Sequence, residues 1–441
     1  MNRSSSTTTP HSSLSATDRR RLSTFRALRH RNYRLLWISL IVSSVGTWMQ
    51  IVAQSLLVLR LTHNSALALG IVSLAQASAF LLFALIGGSV ADRLDRRRLL
   101  LCTQSISMGL ALLLGVLTHA GVIQVWMIVL IAFCNSTVLS FDQPARSALI
   151  PQLVPREDLM NAISLQSAVF NGAAVIGPSL AGLTIGLIHY AGNFFLNALS
   201  YVGVLVVLFI MRVPPEEDQT QSQAVVQSAQ SGNVLQAIRE ALGVIGHDTI
   251  LPWVLAAYGA LLFFNPSAAI ILPYFSVQVL HLTPFELGLL FSASGIGTVA
   301  GALGLASLGE VRHKGRALIL SFTLWTVALL VFAFSHFFWL SLLTLLVVGA
   351  MQNVIAATTI TLMQTRVPPQ MRGRVMSLNT LMIMAIRPLG DFCASGLIAL
   401  IGGPPTVALA GAIVGLLSLT LLGGRPAVRT LAESGSQPRS L

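Results

Sequence analysis

The sequence predicts an all-α membrane protein of twelve transmembrane helices arranged as two six-helix halves. Three observations carry this. The 441-residue chain is 54% hydrophobic and 10% charged, with a mean hydropathy of +0.77, whereas soluble domains carry about 25% charged residues. Apolar stretches recur along it, each near or above the ~20 residues that cross ~30 Å of hydrocarbon. A polar interval over 213–250 divides six of them from six. A shorter bundle with re-entrant pieces is the alternative count. The net charge of +12 and pI near 11.0 would suggest nucleic acid in a soluble protein. Here the basic residues sort by membrane face, so the partners expected are the lipid bilayer and a small-molecule substrate, with no nucleic acid.

Residues 1–31 are rich in Ser, Thr and Arg, with Asp18 the single acid. They read as a disordered basic cytoplasmic tail; an organelle transit peptide is the other reading. No short apolar region with a small-residue cleavage site precedes the first span. The N-terminal half, 32–212, holds stretches at about 35–60, 66–90, 99–118, 122–141, 160–188 and 191–212. The linker, 213–250, opens Pro214-Pro215-Glu216-Glu217-Asp218 and turns Gln/Ser-rich, with a helical piece near 233–246 suited to the membrane surface. The C-terminal half, 251–423, holds stretches at about 251–279, 285–308, 316–335, 338–364, 374–400 and 404–423, before a tail at 424–441. Of the 27 Lys and Arg residues, all but Arg60 and Arg387 fall on the face that holds the N-terminus. Positive loops stay inside, so both termini are expected in the cytoplasm and the chain in the cell inner membrane.

The halves repeat faintly. Val154-Pro155, Ser164-Leu165 and Gly177 recur at a constant offset as Val367-Pro368, Ser377-Leu378 and Gly390. Repeats of this kind place a substrate site between them near the midplane. Other chemistry finds no support. A Walker-type phosphate loop is missing, and no Ser/His/Asp or metal constellation stands out, so an enzyme is not expected. Cys102, Cys134 and Cys393 lie in apolar stretches without disulfide or metal spacing. His119, His189, His281 and His336 fall in short outer loops.

The most distinctive stretch is Gly87-Gly88-Ser89-Val90-Ala91-Asp92-Arg93-Leu94-Asp95-Arg96-Arg97-Arg98. Gly88 and Ser89 are small enough for close helix contact, and Asp92 with Arg93 marks the end of hydrocarbon. A charged turn closing a membrane hairpin explains the arginines but not the Gly-x-x-x-Asp-Arg spacing. The pattern resembles the loop 2–3 signature of the major facilitator superfamily, with Asp95 where that signature has its second glycine. Ser140-Phe141-Asp142-Gln143-Pro144-Ala145-Arg146 and Ala27-Leu28-Arg29-His30-Arg31-Asn32-Tyr33-Arg34-Leu35-Leu36-Trp37 resemble the branch of that superfamily holding the enterobactin exporter and macrolide-efflux-like permeases. The resemblance implies the major facilitator fold. It also implies a cytoplasmic gate, formed by Gly88, Asp92, Arg93, Arg96, Arg97, Asp142 and Arg146, in which Asp92, Arg96 and Asp142 latch the outward-open state. Separate surface ion pairs are the plainer alternative.

Gly172-Ala173-Ala174-Val175-Ile176-Gly177-Pro178-Ser179-Leu180-Ala181-Gly182 resembles the Gly-Pro-x-x-Gly-Gly antiporter motif of drug exporters, with Ala181 for one glycine; a generic kinked helix would also carry it. The resemblance implies secondary active export of a small hydrophobic or amphipathic molecule, siderophore-like or drug-like, by proton antiport. No cofactor is implied beyond the proton gradient, and a monomer is expected. An importer of a nutrient or lysolipid, or a non-transporting scaffold or sensor, are the other readings. The superfamily's drug antiporters often carry an arginine in span 4; the stretch Trp126–Thr137 has none.

An ionisable group inside a membrane span is a functional candidate by default. Arg387 and Asp391 stand at i, i+4 and so can pair, with Pro388 between them to open the helix. Arg387 attracting an anionic substrate and Asp391 taking a coupling proton are the functional readings, and a structural ion pair is the other. The lining candidates are Trp48, Gln50, Gln54, Asn135, Gln166, Asn171, Tyr258, Phe263, Phe264, Asn265, Gln352 and Asn353. Uncharged polar groups are costly in lipid unless satisfied, so they face the interior or bond to other helices.

Overall fold

The computed structural model describes residues 25–211, 234–265, 267–307, 313–425 and 428, apart from the side chains of Leu85, Asp92 and 234–238. The expected tails at 1–24 and 429–441, the linker over 213–233, Pro266 and most of the loop around 309–312 lie outside the described residues. Most of the described residues are helical, with no strand among them. In the first half run α1 (Arg31–Leu61), α2 (Ala66–Arg93), α3 (Arg96–His119), α4 (Val125–Leu153) and α5 (Arg156–Ile210). After a linker helix, α6 (Val234–His247), come α7 (Leu251–Phe264), α8 (Ala268–Gln278), α9 (Pro284–Ser307), α10 (Lys314–Ala333) and α11 (Phe338–Arg366). The last elements are α12 (Arg372–Leu381), α13 (Arg387–Ile401) and α14 (Gly403–Ser418).

Among the described residues ten helical runs are long and apolar enough to cross a membrane, or eleven when α7 and α8, bent by 41° from one another, count as one. The 55-residue α5 breaks at His189 (φ 57, ψ −175). At 1.5 Å per residue it is roughly 80 Å long, far beyond one hydrocarbon thickness of ~30 Å. The all-helical expectation holds, and the expected twelve is reached only by counting the arms of α5 separately.

Local chemistry explains the helix ends at the face holding residues 25 and 425. Asp95, the departure from the signature's glycine, caps α3 by accepting the Arg98 N–H at 2.9 Å. The close contact expected at Gly88 falls one residue earlier. A Cβ at Gly87 would strike the Ser140 carbonyl of α4, whereas one at Gly88 would meet nothing within 4 Å. Ser89 turns its hydroxyl back to Ile86 of its own helix.

Charges at this face brace each half. Of the expected disordered tail, only 25–31 lie within the described residues, and there a 3-10 turn, Arg26–Arg29, leads into α1 at Arg31. Arg26 reaches Glu157 at 3.0 Å and Asp158 at 2.9 Å, and His30 meets Asp158 at 2.9 Å. Tyr33 then donates to the Ala162 carbonyl and Trp37 to that of Leu165, zipping α1 onto α5. In the second half, α6 occupies the place expected for a linker helix, burying Ala241 and Ile245. Glu240 pairs with Arg374, and Asp248 pairs with Arg366 at 2.9 Å. Asp248 also accepts the N–H groups of Ile250 and Leu251, each at 2.8 Å. Burial alone would raise its pKa, but those amides and Arg366 outweigh burial and hold the carboxyl below its ordinary value.

Candidate functional site

The two halves meet through small residues at the face away from the termini. There α2 packs on α13, where a Cβ at Gly70 would lie 2.6 Å from Ser395. The first arm of α5 packs on α9. Gly182 lies against the backbone of Pro284 and Phe285, and Gly288 against that of Pro178. Ser179 and Ser292 share a hydroxyl contact at 2.6 Å, and Ser292 also donates to the Val175 carbonyl. Toward the termini the same helices part. A Cβ at Gly172 would meet nothing within 4 Å, and Phe170 is 62% exposed. The ion pairs of Arg26, His30, Arg146, Arg366 and Arg374 at that end each lie within one half.

A cavity of about 220 Å³ sits at the inner edge of this seal. Gly295, which touches Val175, forms part of its wall together with Ala174. Most of the wall belongs to the second half. Asn265, α8, α9, α10 and α11 supply it, the first half adding Trp48 and Ala174. The midplane site expected between the halves is therefore lopsided. Of the lining candidates, Trp48, Asn265 and Gln352 reach this wall, and so does Arg387.

The other candidates lie elsewhere. Gln50 accepts from Asn197 at 2.6 Å, joining α1 to the second arm of α5. Asn171 bonds its own helix at Ser167, and Tyr258 is buried in the apolar core. Phe263 presents its backbone to Gly390, and Phe264 stacks edge-on against it. Gln54, Asn135, Gln166 and Asn353 are not part of the wall. Composition missed Ser294 and Thr298, one turn apart on α9, along with Phe291 and Phe332. The first two could have been found in Ser292-Ala293-Ser294-Gly295-Ile296-Gly297-Thr298, a polar, small-residue run in an apolar helix.

Arg387 and Asp391 take different tasks. A π turn, Met382–Ile386, precedes Arg387; such turns occur where a helix is re-aimed at functional sites, and Pro388 lacks the N–H that would knit this point tightly. Arg387 lines the cavity. Asp391 is 4% exposed. It accepts the Ser73 hydroxyl of α2 at 3.1 Å and the Ser267 N–H at the head of α8 at 2.7 Å. The direct ion pair anticipated from their spacing is not formed among the described residues, because Asp391 spends its oxygens on these two donors.

The gate residues are likewise divided. Asp142 is buried in the first half and accepts Thr103 at 2.9 Å and Gln104 at 2.7 Å, with Arg146 on its second oxygen. Arg97 closes the end of α5, donating to the carbonyls of Leu208 and Phe209 at 2.6 Å. Arg93 is exposed at the end of α2, and Arg96 opens α3. The side chain of Asp92 lies outside the described residues. Gly177 packs on Trp48 of α1, while Pro178 and Gly182 face α9, so the antiporter-like motif holds one helix against both halves.

Two halves of packed helices around a cavity sealed from one side define a membrane transporter of the alternating-access class. The chain belongs to a major facilitator family described as transmembrane secretion effector, whose family model matches residues 22–440. It is 27% identical over 373 residues to the multidrug efflux pump Tap of Mycolicibacterium fortuitum, covering 82% of this chain and 88% of that protein. It is 25% identical over 404 residues to the enterobactin exporter EntS of Citrobacter koseri, covering 89% and 92%. The solved structure of the nucleoside transporter NupG superposes with a TM-score of 0.68 at 14% identity, covering 89% of this chain and 98% of that one. The family and these relatives are transporters, not enzymes.

Proposed function

We propose that the protein exports small hydrophobic or amphipathic molecules across the bacterial inner membrane, in exchange for protons. The observation that carries this is the cavity at the inner edge of the sealed face, apolar and aromatic with few polar groups. With both termini in the cytoplasm, the orientation that the sorting of basic residues supports, the state described is the one that loads from inside. Efflux names among the relatives support the direction.

Alternating access needs the seal to open and the termini face to close. Opening draws Ser73 away from Asp391, leaving a buried carboxylate short of a donor. A proton taken up there replaces that donor, and re-forming the Ser73 bond on the return expels it inward. Asp391 is thereby the coupling group, with Ser73 as its switch and the Ser267 N–H as its fixed partner. The charges Asp142, Arg146 and Arg97 keep the first half rigid, and Asp92 with Arg96 latches the opposite state.

The test has two arms. Mass spectrometry of cytosol and spent medium, comparing host and deletion strain, should find a compound retained inside when the gene is lost; a compound left unconsumed in the medium would turn the reading to import. In inside-out vesicles an acidic lumen should drive accumulation of that compound. Asp391→Asn should abolish the dependence on the pH gradient, and an unchanged dependence would remove Asp391 from coupling.

A further inference from the structure

We infer that the molecule carried is an acidic amphipath, its oxyanion (a carboxylate or a group of similar charge) held by Arg387. This rests on the reading of the cavity as the transport site. Among the described residues Arg387 is the single formally charged side chain on the wall. Its one acidic neighbour on the helix, Asp391, is committed to Ser73 and Ser267, and no ion pair engages Arg387 among the described residues. An arginine at membrane depth is costly and is retained where it faces a polar cavity or a partner. Its planar donors match a carboxylate or similar oxyanion two bonds at a time.

Three further features agree with this choice. Asn265 and Gln352 add amides that donate to oxygen. Ala268, at the head of α8, brings the positive end of a helix dipole to the wall. Around them Trp48, Phe291 and Phe332 offer an apolar body its surface. Among the described residues no carboxylate lines this wall to favour a cation.

The test uses the full chain in lipid nanodiscs, with empty nanodiscs as reference, and three probes of one shape: naphthoate, naphthamide and naphthylmethylammonium. Naphthoate should bind roughly tenfold or more tightly than naphthamide, the discrimination expected of a charged hydrogen-bonded contact, and the ammonium should bind weakest. Arg387→Gln should bring naphthoate down to the naphthamide level without weakening naphthamide itself, and Arg387→Lys should keep part of the preference. Equal binding of the three by the native protein, or a preference surviving in Arg387→Gln, would overturn the anion assignment and leave the cavity as the transport site. Binding of none of them would remove both. The native series decides the matter even if a variant fails to fold.

Discussion

The two faces of the bundle are held by different chemistry. At the face away from the termini, glycines and serines let backbones of opposite halves touch, and what crosses is dispersion contact plus hydroxyl bonds. At the termini face the ion pairs of Arg26, Arg146, Arg366 and Arg374 each stay within one half. The contrast separates two jobs. Ionic braces tie the helices of each half to one another, while the seal between them is built from close backbone contacts and hydroxyl bonds, the Ser73 hydroxyl on the Asp391 carboxylate among them.

The largest effect should come from filling the seal. Gly182→Leu would drive a side chain into the backbone of Pro284 and Phe285, so transport should be abolished with that face held open. Gly172→Leu has room in the present state and should instead obstruct closing of the termini face. Spin-label distances across each face would separate the two; the same shift in both would erase the contrast. Next comes the brace. Asp142→Ala leaves Arg146, Thr103 and Gln104 without their acceptor and should cost about 3–5 kcal/mol of stability, seen as a lower unfolding temperature in lipid.

Ser73→Ala removes one bond to a charged group that spans the halves, worth about 1.5–3 kcal/mol. It should shift the population toward the opposite state with little change in unfolding temperature. The smallest effect belongs to Asp248. Its carboxyl is held below the ordinary value, so its contribution is complete above about pH 4 and is lost as pH falls through the depressed folded value. Stability measured across that range should fall in the native chain more than in Asp248→Asn.

These contrasts also show what a sequence discloses. Hydropathy and the sorting of arginines were enough for the helical halves, and the break in α5 fell at His189 between two stretches, flanked by Gly186 and Gly192. The signature around residues 87–98 was legible as a motif but not as contacts. Whether Gly87 or Gly88 touches α4 depends on helix rotation, to which spacing is blind. Asp95 was visible as a departure and became intelligible only as a cap. Amides misled most. Gln50 and Asn197 satisfy each other inside the first half, and polarity alone cannot distinguish that from a cavity wall. Conversely, Phe291 and Phe332 line the cavity with side chains that read the same toward lipid. Arg387 stood out because charge is rare there, and that Asp391 bonds Ser73 rather than pairing with Arg387 was not visible because Ser73 is remote in sequence.

The most direct test of the account is access to Phe170→Cys, placed in a chain whose Cys102, Cys134 and Cys393 are replaced by serine or alanine. In the state described, residue 170 lies exposed below the seal on the termini side. A membrane-impermeant maleimide should modify it rapidly in inside-out vesicles and slowly in right-side-out cells, with Gly182→Leu suppressing the inside reaction. Rapid labelling from outside alone would place the open face on the wrong side of the membrane and contradict loading from the cytoplasm.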